Sequence, residues 1–336
     1  MAVKPFNLTR FSSVLLGLVV LVLVSGFLSW RFGGIPVDWT KAWSDPLSTD
    51  HAILFNARLP RILLALIVGF SLSTGGVAFQ SLLRNPLADP YILGVSGGAA
   101  LGSVAAVLFG LSFGYVSSLA FVFSLAALLL IYWIAQTGGR LPIHTLLLTG
   151  VIFNAFTFAL IMFLNSLASF EQAHRIWYLM VGSLEAESYG KLLTVAVFVA
   201  VGYGILQASA LPMNLIATGE ESAQYLGLDV NKFRRRIFFA ASLMIGATVS
   251  LSGLIGFVGL FVPHMMRLRL GSDHRLLLPA SGLFGAFFLI VADWLARSAF
   301  SGETFQTQVP VGVITALIGG PFFVYLLKRG ARKALW

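Results

Sequence analysis

The sequence predicts an all-α integral membrane protein with ten transmembrane helices. Of its 336 residues, 58% are hydrophobic and 10% are charged, and the mean hydropathy is +0.90. A soluble domain of this length needs more charged residues at its surface. No polar stretch is long enough to fold as a separate domain, so we expect residues 1–336 to form a single transmembrane domain.

The first predicted span is the uncharged run 11–30, which follows Lys4 and Arg10. One interpretation is a cleaved signal peptide, for which Ser25-Gly26 would be a poor cleavage site. The other interpretation is an uncleaved helix, because the run is long enough to cross a bilayer and basic residues precede it. We expect the uncleaved helix.

Six more runs supply seven further spans, and one unusual stretch supplies the last two. About 20 apolar residues cross a bilayer as a helix. By this measure the segment 62–83 is one span, and 90–139, which carries no charge, contains two. One span each is predicted at 141–166, 192–212, 276–296 and 308–327.

The unusual stretch is 237–266, which has no acid, lysine or arginine. Basic clusters flank it, Arg234–Arg236 before it and Arg267–Arg275 after it. Basic residues are enriched in cytoplasmic loops, which places both clusters in the cytoplasm. The chain must therefore cross the bilayer to the outside and cross back within about 30 residues. Two full transmembrane helices would need about 40 residues.

A break in the helix resolves this shortage of length. The segment 250–259 is rich in glycine and Pro263 follows it. Such backbone can run unwound at membrane depth where it faces protein or a water-filled cavity. We therefore predict a full helix over 232–251 and a short, broken eighth span that ends near Arg269.

The distribution of basic residues agrees with this topology. Most of the 22 lysines and arginines fall on predicted cytoplasmic segments, and both termini are predicted to be cytoplasmic. The net charge of +9 is then a consequence of membrane orientation. It gives no support for nucleic acid as a partner.

Three arginines lie at predicted outer helix ends: Arg58, Arg61 and Arg297. They have two interpretations, which the residues alone leave open. The side chains extend to the lipid headgroups, or they form a basic patch that docks an acidic partner. Asp293 precedes Arg297 by four residues, so these two side chains can form an ion pair along the helix.

The polar residues inside the predicted spans do not form a catalytic site. Asn154 is expected to make an interhelical hydrogen bond or to line a cavity. Gly256 and Gly259 belong to the unwound stretch and are candidates for lining a pathway. His264 and His274 lack the further ligands that a metal site needs. We find no phosphate-binding loop and no catalytic pair, so we expect no enzyme activity and no bound cofactor or metal.

A short polar segment, about 214–230, separates two apolar stretches. The segment contains two adjacent acidic residues and ends near a Leu-Gly pair that is expected to terminate a helix. It is predicted to lie in the cytoplasm. We expect a partner outside the membrane to hold it. Its candidate residues are Gly219, Glu220, Glu221, Ala223, Leu226 and Gly227.

Seven motifs, in the same order along nearly the whole chain, resemble those of the metal-chelate permeases. These are the membrane subunits of type II ABC importers for vitamin B12, ferric siderophores and haem. The motifs are Ala57-Arg-Leu-Pro-Arg61, the segment 80–90 with Arg-Asn-Pro-Leu-Ala-Asp-Pro, Leu93-Gly-Val-Ser-Gly97, Gly219-Glu-Glu with Leu226-Gly227, Gly256-Phe-Val-Gly-Leu-Phe-Val-Pro-His264, the segment 273–279, and Pro310-Val-Gly-Val-Ile-Thr315.

The resemblance implies ten helices in the type II ABC importer permease fold and a homodimer with the substrate pathway between its copies. It implies two ATPase subunits, which bind ATP and Mg, on the cytoplasmic side, and it makes the segment 214–230 their coupling site. It also implies a binding protein outside, whose acidic residues meet Arg58, Arg61 and Arg297.

A cytoplasmic gate is a further implication. In the vitamin B12 importer the loop before the fifth span forms this gate with small hydroxyl residues. The matching residues here are Ile143, His144 and Thr145, which are bulkier and include a titratable ring. The resemblance therefore leaves the substrate open among ferric siderophores, haem and corrinoids.

These observations predict the permease of an ATP-driven importer in a bacterial or archaeal cytoplasmic membrane. The alternative is a secondary transporter of a bulky solute, driven by protons or sodium. That alternative needs acidic relays within the membrane. The one acid near membrane depth is Asp293, at a helix end.

Overall fold

The protein is helical throughout the residues that the computed structural model describes, which are 8–33, 35–298 and 309–331, and these residues form no β-strand. Fifteen α-helices follow one another along these segments. They are α1 (Leu8–Arg31), α2 (Trp39–Ser44), α3 (Thr49–His51), α4 (Leu59–Leu82), α5 (Val95–Leu108), α6 (Phe113–Ala135), α7 (Ile143–Ser166), α8 (Phe170–Val181), α9 (Tyr189–Ala208), α10 (Ala210–Ala217), α11 (Glu220–Tyr225), α12 (Val230–Ser252), α13 (Val258–Leu270), α14 (His274–Ser298) and α15 (Val311–Ala331).

Six helical stretches within the described part of the chain are long and apolar enough to cross a membrane. They are Phe11–Arg31, Thr49–Leu82, Gly114–Ala135, Ile143–Ser166, Tyr189–Ala208 and His274–Ser298. Val95–Leu108 and Val311–Tyr325 are shorter apolar helices. Residue 308, where the last span was predicted to begin, and the two chain termini lie outside the described residues.

The second spanning stretch begins earlier than the predicted residue 62. A π-helical segment, Ala52–Arg58, joins α3 to α4, so the helix is continuous from Thr49. The span predicted from apolar length began after Arg58, Pro60 and Arg61. Proline is tolerated in a first helical turn, and both arginines have partners inside the protein, described below.

Helices α4, α12 and α14 form the centre of the bundle. α4 packs against both α14 and α12, and most of its residues are buried. The approach is close because small residues face each other: a Cβ on Gly69 would lie 2.3 Å from the carbonyl oxygen of Gly285. A Cβ on Gly76 would lie 1.9 Å from the carbonyl oxygen of Gly259 in α13. Small residues at helix contacts are what association in lipid requires.

The predicted break after 232–251 is present. Helix α12 ends at Ser252, the chain is unwound over 253–257, and α13 returns with 13 residues. Phe257, at the start of α13, has φ +68°, an unusual conformation for a bulky side chain. A Cβ on Gly319 of α15 would lie only 2.6 Å from the Cβ of Phe257. The glycine in α15 therefore leaves room for the Phe257 side chain.

Helix α8 completes the break, and it was not predicted from the sequence. The backbone N–H of Leu254 donates to the carbonyl of Leu179, 3.2 Å away, and the N–H of Ser183 donates to Ser252, 3.0 Å away. The Tyr91 hydroxyl donates to the carbonyl of Ile255 at 2.8 Å. The unwound backbone therefore finds partners in protein, as lipid surroundings demand.

Candidate functional site

The candidate residues lie at the two ends of α14. This helix has 25 residues, which corresponds to about 37 Å at 1.5 Å per residue. Arg297 marks one end and His274 the other. We refer to them as the Arg297 end and the His274 end of the bundle.

At the Arg297 end, one carboxylate binds two arginines. Asp293 Oδ1 accepts from Arg61 Nε at 2.8 Å, and Asp293 Oδ2 accepts from Arg297 Nε at 2.9 Å. The Asp293 side chain is only 1% exposed. The ion pair expected between Asp293 and Arg297 is confirmed, and the partner from α4 is an addition that sequence spacing could not reveal.

The third arginine of this group is buried as well. Arg58 is 6% exposed. Its guanidinium donates to the carbonyl of Trp30 at 3.1 Å and to the carbonyl of Ile35. Arg58 thus binds backbone carbonyls in the last turn of α1 and in the loop that follows it. Among the described residues of this cluster, three guanidinium groups stand against the carboxylate of Asp293, so the cluster itself carries an excess of positive charge.

Asn154, in the middle of the bundle, makes structural contacts. Asn154 Nδ2 in α7 donates to the carbonyls of Tyr91 and Ile92, at 2.8 and 3.3 Å. This is the intersegment hydrogen bond that the sequence suggested. Gly259 is in tight contact, since a Cβ there would lie 2.2 Å from Pro90 Cγ. Gly256 differs, because a Cβ there would meet no atom within 4 Å.

At the His274 end, the predicted polar segment folds as two short helices, α10 and α11. Ala223 is fully buried and anchors α11. Glu221, Gln224, Tyr225 and Leu226 face outward, and Leu226 is 67% exposed. The two adjacent acids therefore differ: Glu221 is exposed, whereas Glu220 pairs with Arg234 of α12.

A second set of contacts ties α10 to the start of α14. Asn214 Nδ2 donates to Asp273 Oδ1 at 2.8 Å, and Asn214 Oδ1 accepts from the backbone N–H of His274 at 2.9 Å. Hydrogen bonds from Arg275 and Asn214 lower the pKa of Asp273 to about 2. This contact therefore keeps its charge at every physiological pH.

The predicted gate residues begin α7 at the same end. Pro142 precedes the first turn, His144 is exposed, and Ile143 and Thr145 are partly buried. The loop before them is tight, with Thr137 and Arg140 exchanging two backbone hydrogen bonds of 3.0 Å. The start of α7 and the polar segment 214–230 lie at the same end of the bundle, because Leu141 and Glu220 both bind Arg234.

The sequence is similar to those of known permeases and of a known transport family. The FecCD transport family matches residues 21–329. The chain is 42% identical over 312 residues to the cobalamin import system permease protein BtuC of Halobacterium salinarum, a match that covers 90% of this chain and 82% of that protein. It is 37% identical over 324 residues to the hemin transport system permease protein HmuU of Yersinia pestis, which covers 93% of this chain and 94% of that protein.

The similarity extends to three dimensions. A metal-chelate type ABC transporter, solved in an inward-facing conformation, superimposes with a TM-score of 0.82 and 30% sequence identity. The match covers 95% of this chain and 99% of that chain. The arrangement of helices described above is therefore that of an ABC transporter.

The buried arginine pair leads to a stability prediction. Asp293→Asn removes the negative charge that binds both Arg61 and Arg297, and breaking a buried ion pair costs about 3–5 kcal/mol of unfolding free energy. Asp229→Asn is the matched control, because Asp229 pairs with Lys232 at the exposed start of α12, where such pairs contribute about 1 kcal/mol or less. Denaturant unfolding in detergent measures both. Equal losses would contradict a supporting role for Asp293.

Proposed function

The chain belongs to the FecCD transport family, and from this premise we propose that it is the transmembrane permease subunit of an ATP-driven ABC importer. Its cargo is an iron chelate, haem or a corrinoid, moved into the cytoplasm by alternating access. The observation that carries the proposal is the match to permeases of cobalamin and hemin import along almost the full length. Partner ATPase subunits bind ATP and Mg and carry out the hydrolysis.

The ion-coupled alternative has no support in the site. A proton- or sodium-driven transporter uses acids within the membrane as relays. Asp293 is buried in α14, but two guanidinium groups hold both of its oxygens. A carboxylate bound in this way is poorly suited to exchange a proton or to bind sodium.

We assign ten spans to the subunit, with the His274 end and both termini in the cytoplasm. The spans are the six long helices together with α5, α12, α13 and α15. Helix α12 has the length to span despite its basic first turns, and α13 needs only 13 residues because the unwound segment precedes it. The cluster Arg234–Arg236 at the start of α12 supports this orientation.

We further propose that two copies form a homodimer around the pathway. One long face of α7 is exposed in the single chain and consists of large apolar side chains, which supports contact with a second copy or with lipid. These residues include Leu148, Val151, Ile152, Phe156 and Phe163. In this arrangement Ile143, His144 and Thr145 form the cytoplasmic gate, and Gly256 borders the open part of the pathway.

The energy source gives the direct test of the proposed function. Uptake by the complex of permease, ATPase and binding protein, reconstituted in liposomes, is expected to need ATP and to continue when an uncoupler removes the ion gradients. Haem, a ferric siderophore and cobalamin, offered separately, identify the cargo. Uptake that stops with the uncoupler and ignores ATP would contradict the proposal.

The exposed side of α11 is the proposed contact with the ATPase. Leu226→Asp places a charge at the centre of an apolar contact, and we expect it to abolish co-purification of the ATPase and ATP-dependent uptake. Leu47→Asp makes the same change at the opposite end, where Leu47 is 96% exposed, and co-purification is expected to persist. Loss in both variants, or in neither, would count against this surface.

The same two positions test the orientation. The chain has no cysteine, so a single Leu47→Cys or Leu226→Cys variant reacts with a membrane-impermeant reagent from one side only. Leu226→Cys is expected to react from the cytoplasmic side and Leu47→Cys from the outside. The reverse pattern would refute the assigned topology.

The Arg297 end is the proposed docking site of an acidic binding protein. Because Arg58, Arg61 and Arg297 are mostly buried, we attribute their effect chiefly to their field, which steers an acidic surface. Arg61→Gln is expected to slow association several-fold at about 0.01 M salt and much less at about 1 M salt, where charges are screened. Lys232→Gln removes one positive charge at the other end and should leave the rate unchanged. A rate that is insensitive to Arg61→Gln and to salt would rule out steering.

A further inference from the structure

Arg234, which has no assigned role, connects the polar segment to the start of α7. Its Nη2 donates to Glu220 Oε1 of α11, and its Nη1 donates to the carbonyl of Leu141 at 3.3 Å. The Arg234 side chain is 14% exposed and that of Glu220 is 30% exposed. One guanidinium therefore binds two segments that lie about 80 residues apart in the sequence.

Two glycines flank the segment on one side of this bridge. Helix α11 has six residues and lies between Gly219 and Gly227, whose φ angles are +130° and +85°. Glycine adopts such angles without strain and other residues rarely do. The two glycines therefore allow α11 to change its angle to α10 and α12 while Ala223 keeps it seated.

The segment on the other side of the bridge leads into the proposed gate. Leu141 is 1% exposed, and the next residues are Pro142 and the first turn of α7. Proline restricts the backbone of the residue before it. A displacement of the Leu141 carbonyl therefore also displaces Pro142 and the first turn of α7. Arg234 is well suited to this task, since a planar guanidinium donates in two directions at once.

We propose that Arg234 is a positioning residue that transmits the movement of α11 to residues 143–145 at the start of α7. The inference rests on the proposed function, in which an ATPase moves α11. It adds the physical link between the ATPase contact and the gate: Glu220 belongs to this internal link, while Glu221, Tyr225 and Leu226 remain for the partner. Asn214, bound to the start of α14, forms a separate attachment.

A link of this kind is detected as a loss of coupling between ATP hydrolysis and transport. Arg234→Gln is expected to leave the complex assembled and able to hydrolyse ATP, whereas the amount of cargo imported per ATP falls about tenfold, within the range of known coupling free energies. Arg236→Gln, in the same basic run and exposed, is the matched control and should keep the normal ratio.

A second variant covers the case in which Arg234→Gln does not assemble. Glu220→Ala breaks the other end of the bridge at a partly exposed position, and it should lower the import ratio similarly. The double variant should be no worse than the more affected single one, because both changes interrupt one connection. Import ratios within twofold of the unsubstituted complex in both single variants would overturn the proposal.

A charge exchange separates the bridge from a simple ion pair. Glu220→Arg combined with Arg234→Glu restores opposite charges between α11 and α12. The new carboxylate cannot donate to the Leu141 carbonyl, however. We expect this double variant to assemble but to keep the low import ratio. Full recovery of the ratio would show that the ion pair alone matters and would overturn the link to α7.

The gate offers a readout that a purely stabilising residue would not change. In the His144→Cys variant, labelling by a water-soluble maleimide is expected to change in rate when a non-hydrolysable ATP analogue binds. Adding Arg234→Gln should abolish that change while ATP hydrolysis persists, and an undiminished change would refute the inference. If the unsubstituted complex shows no ATP-dependent uptake at all, the proposed function itself fails, and the inference fails with it.

Discussion

A polar group at membrane depth must find its partner within the protein, and the rest of this structure depends on that constraint. Its clearest instance is the unwound segment 253–257. The N–H of Leu254 and the carbonyls of Ser252 and Ile255 would each be costly to leave unpaired in hydrocarbon. Leu179, Ser183 and Tyr91 satisfy them. The break in the eighth span is thus possible because other segments surround it.

The same constraint governs the charged residues. Arg61 and Arg297 are mostly buried, and Asp293 lies between them. This arrangement connects α4 to α14 at one end of the bundle. At the other end Arg234, Glu220 and the carbonyl of Leu141 form the corresponding contact. Both ends of the molecule are therefore held by guanidinium groups that join helices distant in sequence, while close glycine contacts hold the middle.

The sequence predicted features that are encoded locally. Apolar length predicted the long spans, and flanking charge together with glycine content predicted α12, the break and the short α13. The ion pair of Asp293 with Arg297 was also expected, because the residues are one helical turn apart. Arg61 reaches the same carboxylate from 232 positions away, and no local pattern indicates such a contact.

Two other features escaped prediction for related reasons. Helix α8 has 12 residues, several of them polar or charged, so hydropathy does not distinguish it from a loop. Its helical state depends on a capping box at Ser169 and on packing against α5. The link through Arg234 joins three segments, and its components resemble an ordinary basic run and an ordinary acidic pair when they are read one at a time. The motifs of the family indicated where function lies, but the contacts required the fold.

The dependence of α13 on α8 has a consequence for biosynthesis. A span of 13 residues is too short to enter a bilayer by its own hydrophobicity. Its unwound approach also depends on hydrogen bonds to Leu179 and from Tyr91. Chains emerge from the ribosome N-terminus first, so α8 is made before α12 and α13 and is available to receive them. The order of these helices along the chain thus suits membrane insertion. Helix α8, against which the unwound segment packs, is synthesised before α13, which cannot insert alone.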